Sequence, residues 1–345
     1  MQAVWETWQS AYKVMSELKA VILAAGQGTR MKSKLPKVVH KVLGKCMVWY
    51  AINAAKEAGA TKICVVVGHG ADTVKSMIDE DVVFVTQDKQ LGTGHAVKCA
   101  RDFIGKTGET LILFGDTPLI TGETLKTLVD THRNSGNAIT VLSASIDNPT
   151  GYGRIIRDKD GQFVKSVEHK DATDEERLCK EVNSGMYVFD SGELYEALDL
   201  IKNDNAQGEY YLPDTLMIIK DKGLKVDAFV APDAREIEGV NSRVQLAYAN
   251  KVMKERINNA HMVNGVTITD PENTYIECTV TIENDVTLYP NTFLEGNTVI
   301  KSGSVIGPCT RLKDTKTGVD CTLAFVTADG ADVPDATVAE PYSKL

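Results

Sequence analysis

The segment LAAGQGTRMKSKLPK, residues 23–37, carries the residue types that a polyphosphate requires. Gly26 and Gly28 directly follow an apolar run, so the backbone there can turn tightly and aim N–H groups at phosphate oxygens. Thr29, Arg30 and Lys37 add donors and positive charge. The plainer reading of the same letters is a tight strand-to-helix turn followed by solvated basic residues. A P-loop would end in Gly-Lys followed by Ser or Thr, and none is present. A dinucleotide fingerprint would need a third glycine where Met31 stands, and an acidic residue about twenty positions on, where Val48, Trp49 and Tyr50 stand. Neither an ATPase nor a dehydrogenase fits. A second candidate is Asp116, at the end of TLILFGD. A carboxylate there either caps the next turn or binds a cation such as Mg²⁺, which takes one or two protein oxygens plus substrate phosphates and water.

Five short apolar runs alternate with helix-period segments: AVILAAG (20–26), KICVVVG (62–68), DVVFVTQ (81–87), TLILFGD (110–116) and AITVLSA (138–144). That rhythm predicts βαβ units and a mainly parallel sheet. Ligands of such sheets gather at the carboxyl ends of the strands, so the residues just after each run are the first candidates. After Pro149 come hairpin-like pieces (GRIIRDKDGQFVKSVEH), a charged stretch and a strand-like MYVFD, an insertion lining one side of the sheet. Helices near 191–202 and 208–222, the strand KVDAFVA, and a long helix from Ser242 to about Ala260 complete an α/β domain over residues 20–263. At the other end, Val4, Trp5, Trp8, Tyr12, Met15 and Leu18 fall at helical spacing and predict an amphipathic helical extension over residues 1–19.

Beyond residue 264 the period becomes six. Ile276, Ile282, Leu288, Leu294, Ile300, Ile306 and Leu312 recur in register, and from Ile282 on the position two before each is Val280, Val286, Thr292, Thr298, Ser304 and Thr310. A hexad ladder of this kind is the mark of a β-helix that stacks one aliphatic residue on the next. The register fails at Gly318, which predicts roughly two coils and a frayed or differently folded end within residues 264–345.

The chain has 345 residues, 43% of them apolar and 25% charged, enough for two ordinary cores. Its net charge of −9 is uneven: residues 265–345 hold 5 Lys and Arg against 12 Asp and Glu, leaving 33 against 35 for residues 1–264. Nucleic acid is therefore not an expected partner, while the near-neutral larger part can hold a cationic site for an anionic substrate. Seven cysteines without a C-x-x-C pair argue for reduced thiols rather than a disulfide framework or a zinc ribbon. No apolar run approaches the roughly 18 residues of a membrane span, and no signal core opens the chain, so the expectation is a cytoplasmic protein without a membrane partner.

The motif LAAG-x-G-T-R-M followed by L-P-K is the signature of the sugar-phosphate nucleotidylyltransferase family. The likeness continues through QLGTGHA (90–96), FGDTPLI (114–120), PTGYGRI (149–155), EHKDAT (168–173), NSG (183–185), NAQGEYYLPD (205–214) and EGVNSRVQL (238–246). Together these resemble the N-acetylglucosamine-1-phosphate uridylyltransferase half of a bifunctional bacterial enzyme, across about residues 20–312. The resemblance implies a Rossmann-like nucleotidylyltransferase domain followed by a short left-handed β-helix of hexapeptide repeats.

It also implies roles for particular residues. Leu23, Ala24, Ala25, Gly26 and Gly115 would contact the nucleotide, and Arg30 and Lys37 would hold its phosphates. Gln87, which alone would read as a loop amide, offers both a donor and an acceptor, as reading a uracil edge requires. Gly92 and Thr93 would close on the base. Asp116 and Asn241 would bind Mg²⁺ between them, although Asn241 could equally cap the long helix. Gly153, Glu168, Asn183 and Asn241 would take the sugar. The implied reaction converts UTP and N-acetylglucosamine-1-phosphate into UDP-N-acetylglucosamine and pyrophosphate. It needs no proton shuttle, so His40, His69, His95 and His169 are expected to be structural.

The relatives' acetyltransferase site lies in later coils, between chains of a trimer. No segment here matches it, so acetyl transfer is expected to be absent and a trimeric assembly is left open. Thymidylyl-, guanylyl- and adenylyltransferases share the N-terminal motif, but QLGTGHA, EHKDAT and EGVNSR favour uridine and an N-acetylated sugar. A non-catalytic sensor would have been favoured by the loss of Arg30, Lys37 or Asp116, and all three are present. A glycosyltransferase would want Asp-x-Asp where Gly-Asp-Thr stands.

Overall fold

A computed structural model describes residues 16–205 and 207–345. The expected helix over residues 1–19 lies outside the described residues except at its end, where Leu18 and Lys19 are already strand. Two compact units emerge: one runs through His40 and again over Met47–Ser242, the other comprises Lys41–Cys46 and Arg243–Leu345.

The first unit is built on strand β1 (Leu18–Ala24), buried at all seven positions. Strands β2 (Lys62–Val67) and β4 (Glu109–Phe114) pair with it on either side, both parallel, and β3 (Val83–Thr86) pairs parallel with β2. Beyond β4 lies β8 (Glu181–Asp190), antiparallel both to β4 and to β5 (Ile139–Ser145), and β9 (Val226–Val230) runs parallel on β5. A hairpin, β6 (Gly153–Arg157) and β7 (Phe163–Val167), hangs from β8 and is the insertion read from the sequence. Every predicted apolar run is thus a strand. The central ones carry unbroken apolar residues such as Val21, Ile22, Val65 and Ile112 at 0% exposure, because helices cover both faces and leave no side for polar alternation.

Among those helices, α1 (Met47–Glu57) packs on β1, α2 (Thr93–Cys99) follows β3, and α3 (Gly122–Ser135) packs on α1 and β5. Thr121 caps α3 by accepting from the Thr124 amide at 3.2 Å. The chain leaves β1 to build β2 on one side and β4 on the other. That reversal opens a crevice at their carboxyl ends, where open α/β sheets bind ligands. Among the described residues no helix is long and apolar enough to cross a membrane, and all seven cysteines are free thiols.

The second unit is a stack of three parallel sheets, each four strands deep. The hexad residues from Ile276 to Leu312 are buried within it, and Thr292, Thr298, Ser304 and Thr310 lie at 0 to 1% exposure. Their hydroxyls are satisfied by backbone carbonyls, Thr298 donating to Glu295 O at 2.7 Å and Thr310 to Leu323 O at 3.1 Å.

Two expectations are corrected here. The stack does not fray after two coils; it continues through Lys316–Thr317, Thr322–Leu323, Thr327–Asp329 and Asp332–Val333. The later coils are shorter. Thr281 pairs with Val299, eighteen residues on, Val299 with Lys316, seventeen on, and Lys316 with Asp332, sixteen on. Residues dropped between strands break the period of six while the strands stay stacked. The boundary expected at residue 263 also moves. Helix α4 (Arg243–Val263) belongs to the β-helix unit, because Ile257 and Met262 pack on its core and Asn258 Nδ2 donates to Pro271 O at 2.9 Å and Thr274 O at 3.1 Å.

Candidate active site

At the carboxyl end of β1 the chain runs into a loop whose glycine has a steric cause. Gly28 has φ of 62°, and a Cβ on it would stand 2.5 Å from the Cβ of Lys37. Only glycine lets the two ends of the loop close and bring Lys37 back over the sheet. Met31, 1% exposed, anchors the short turn between them. Leu23, Ala24, Ala25 and Gly26 then wall a cavity of about 280 Å³ that also takes in Lys37, Gln87, Gly92, Thr93 and Asp116. A Cβ at Gly26 would meet no protein atom within 4 Å, so its bare backbone faces open space. Arg30 is exposed outside this lining. Gly115 lies beneath it, packed against Val38, Val48 and Ala24.

Lys37 forms an ion pair with the Asp116 carboxylate and donates to Asn241 Oδ1 at 2.9 Å. Asp116 is held in turn by the Val240 amide, which donates to its carbonyl at 2.8 Å. Three motifs far apart in the chain therefore meet at one ammonium. A carboxylate and an amide oxygen converging on one positive charge is the donor chemistry a hard divalent ion uses. No group of three or more His, Cys, Asp or Glu side chains is placed to hold a metal among the described residues. The oxygens present fit an ion whose remaining positions are filled by phosphate and water.

Gln87, 4% exposed, follows β3 and donates from Nε2 to Gly92 O at 3.2 Å and to His95 Nδ1 at 3.0 Å. Gly92 has φ of 106°, and a Cβ there would stand 2.6 Å from Tyr210 O. That close approach stitches two motifs together: Gly94 N donates to Tyr210 O and Tyr210 N to Leu91 O, both at 2.8 Å, while Leu212 N donates to Thr93 Oγ1 at 3.1 Å. Gln90 ties this loop to the first one, donating to Ala25 O at 3.0 Å.

A second cavity, of about 240 Å³, contains Gly153, Glu168 and Asn183 and shares Thr93, Phe114 and Glu209 with the first. Two ligands seated in the two cavities would thus meet at a common wall. Asn183 sits beside Gly153 in the β6–β8 register. Its Oδ1 accepts from the Gly185 amide at 2.8 Å and the Tyr187 hydroxyl at 3.1 Å, and its Nδ2 donates to Ser166 Oγ at 3.1 Å. Complete burial pushes the Tyr187 phenol up, so it keeps its proton and donates. Asn183 therefore has an N–H left for a ligand. Burial, and then the charges of Asp171 and Asp214, push the Glu168 carboxyl up as well.

Of the residues singled out from the sequence, the two cavities gather all except Gly28, Thr29, Arg30, Gly115 and Asn241, the last of which is linked through Lys37. Sequence reasoning missed Gln90 and Glu209, although both lie inside motifs it quoted. Ser166 and Tyr187 gave no signal, because their role is to orient Asn183. No histidine lines either cavity.

The mainly parallel sheet, with its glycine-turned loop at the switch point and two adjoining ligand cavities, is that of a nucleotidyltransferase, as the family comparison shows. Residues 20–176 match the MobA-like NTP transferase domain. The chain is 51% identical to the bifunctional protein GlmU of Caldanaerobacter subterraneus subsp. tengcongensis over 96% of its own length and 72% of that protein's. It is 49% identical to the GlmU of Clostridioides difficile, over 95% and 71% respectively, and 53% identical to that of Clostridium novyi, over 86% and 65%. The chain belongs to the GlmU family. It is accordingly an enzyme, a UDP-N-acetylglucosamine pyrophosphorylase of the nucleotidyltransferase class, and a sugar-phosphate uridylyltransferase that works with a divalent metal ion.

Proposed function

We propose that this chain transfers uridylyl from UTP to N-acetylglucosamine-1-phosphate, releasing pyrophosphate and UDP-N-acetylglucosamine. The observation that carries this reading is the placement of Lys37 Nζ between Asp116 and Asn241, on the rim of a cavity walled by Leu23 to Gly26 and Gln87. A phosphate oxygen of the sugar phosphate forms a bond to the α-phosphorus of the nucleotide, and the bond from that phosphorus to the bridging oxygen breaks as pyrophosphate leaves. The second pKa of a phosphate monoester is about 6, so the nucleophile is anionic at neutral pH and needs no general base.

The obstacle is repulsion between two polyanions, which the chain counters with positive charge and fixed donors. Lys37 holds phosphate oxygens at the reacting centre, and Arg30 approaches the triphosphate from the open side. Asp116 and Asn241 would hold Mg²⁺, which when bound neutralises phosphate charge and orients the two phosphates. Gln87, Gly92 and Thr93 hold the base, and Gly153, Glu168 and Asn183 hold the sugar.

The test is pyrophosphate release over a matrix of four nucleoside triphosphates and several sugar-1-phosphates, with Mg²⁺ and with EDTA. UTP with N-acetylglucosamine-1-phosphate should dominate, and EDTA should abolish release. A better pair elsewhere in the matrix, or turnover without metal, overturns the reading.

A further inference from the structure

The geometry points to His95 as a positioning residue that locks the amide of Gln87 with its oxygen toward the base, and so makes the pocket prefer a uracil edge to a cytosine edge. This rests on the uridylyl reading above and adds a cause for its base preference.

The orientation of a side-chain amide follows from its partners. Gly92 O can only accept, so the Gln87 atom 3.2 Å from it is the nitrogen. The same nitrogen lies 3.0 Å from His95 Nδ1, which must offer its lone pair and leave the ring proton on Nε2. Both hydrogens of the amide are then in use. Its oxygen takes no hydrogen bond among the described residues, and Gln87 lines the nucleotide cavity. The pocket therefore meets a base with a fixed acceptor. Uracil presents N3–H to such a group, whereas cytosine presents a lone pair at N3.

Gly92 by itself occupies only one hydrogen of the amide. Without His95 that one contact is all that opposes a 180° flip of the amide about its Cγ–Cδ bond, which would present the nitrogen to the base as a donor that cytosine N3 can accept. The histidine ring lies beside Tyr210. It sits in α2, one turn beyond Gly92, with its centroid 6.4 Å from that of Tyr210, and it borders a separate cavity with Leu198 and Ile201.

The experiment compares kcat/KM for UTP and CTP, at one sugar phosphate, in the wild type, His95→Phe and His95→Asn. Phenylalanine fills the space without an acceptor, while Asn can return an oxygen near the Nδ1 position. His95→Phe should lose at least about tenfold of the UTP-over-CTP preference, and His95→Asn should keep most of it, with KM for the sugar phosphate unchanged in both. A merely structural histidine would lower both nucleotides alike, and an unchanged ratio in a folded His95→Phe overturns the proposal. If His95→Phe does not fold, ¹⁵N NMR of the wild type decides, the resonance being assigned by its loss in His95→Asn: His95 should be the Nε2–H tautomer, and a proton on Nδ1 overturns the lock. A wild type that shows no preference for UTP counts against the uridylyl reading instead.

Discussion

Arg30 and Lys37 share one loop but sit in different electrostatic settings. Lys37 has a side chain only 15% exposed and is neutralised by Asp116, whereas Arg30 is exposed and makes no ion pair among the described residues. Its removal leaves no buried group unpaired, so Arg30→Ala should keep the wild-type melting temperature. Turnover should fall at least about a hundredfold, the loss typical of one preorganised donor. Near-normal turnover would remove Arg30 from the reaction. Glu168 shows the opposite balance, because its carboxyl is pushed up by burial and by Asp171 and Asp214. A raised folded pKa means that the group favours folding when protonated and that this contribution is lost as pH rises through it. Glu168→Gln should therefore melt higher than the wild type at pH 7.5, with the difference closing as pH falls into the carboxylate range. The same change should raise KM for the sugar phosphate about tenfold, since a charged acceptor is lost. Equal melting temperatures at pH 7.5 would contradict the burial argument.

Elements carry the acid sensitivity. His132, on α3, is 3% exposed, with Nδ1 3.0 Å from Thr140 Oγ1 on β5, and burial lowers its pKa to about 4. A group depressed from 6.5 to about 4 stabilises the fold fully above pH 6.5 and loses that contribution as pH falls toward 4. By pH 5 the loss is about 2 kcal/mol. Urea unfolding at pH 7.5 and pH 5 should show the wild type losing roughly that much more stability than His132→Asn. Parallel losses in the two proteins would mean that some other group governs the acid limb. The strands around this helix were legible because unbroken apolar runs of six or seven residues bounded by Gly, Asp or Gln leave little choice. The antiparallel direction of β8 was not, since a buried strand reads the same whichever way its partners run.

At the scale of the whole molecule, the chain is two units with separate cores. Helix α4 belongs to the second, so a charge placed on its inner face should be felt there. Ile257→Asp should speed hydrogen exchange in Thr267–Leu294 and leave β1, β4 and β5 protected, because Ile257 is half-buried against that core and a carboxylate set there without a partner is locally destabilising. Uniform acceleration across both units would contradict the division. Sequence alone determined the sheet's rhythm, the β-helix register as far as Leu312, and the motifs that hold the chemistry, because each is written in local period or turn chemistry. Only the tertiary structure decided which residues meet. Lys37 reaches Asp116 and Asn241 across 79 and 204 residues of chain, and the later coils stay stacked through dropped residues. Neither leaves a local signal, since both are settled by packing between segments that no window of sequence contains.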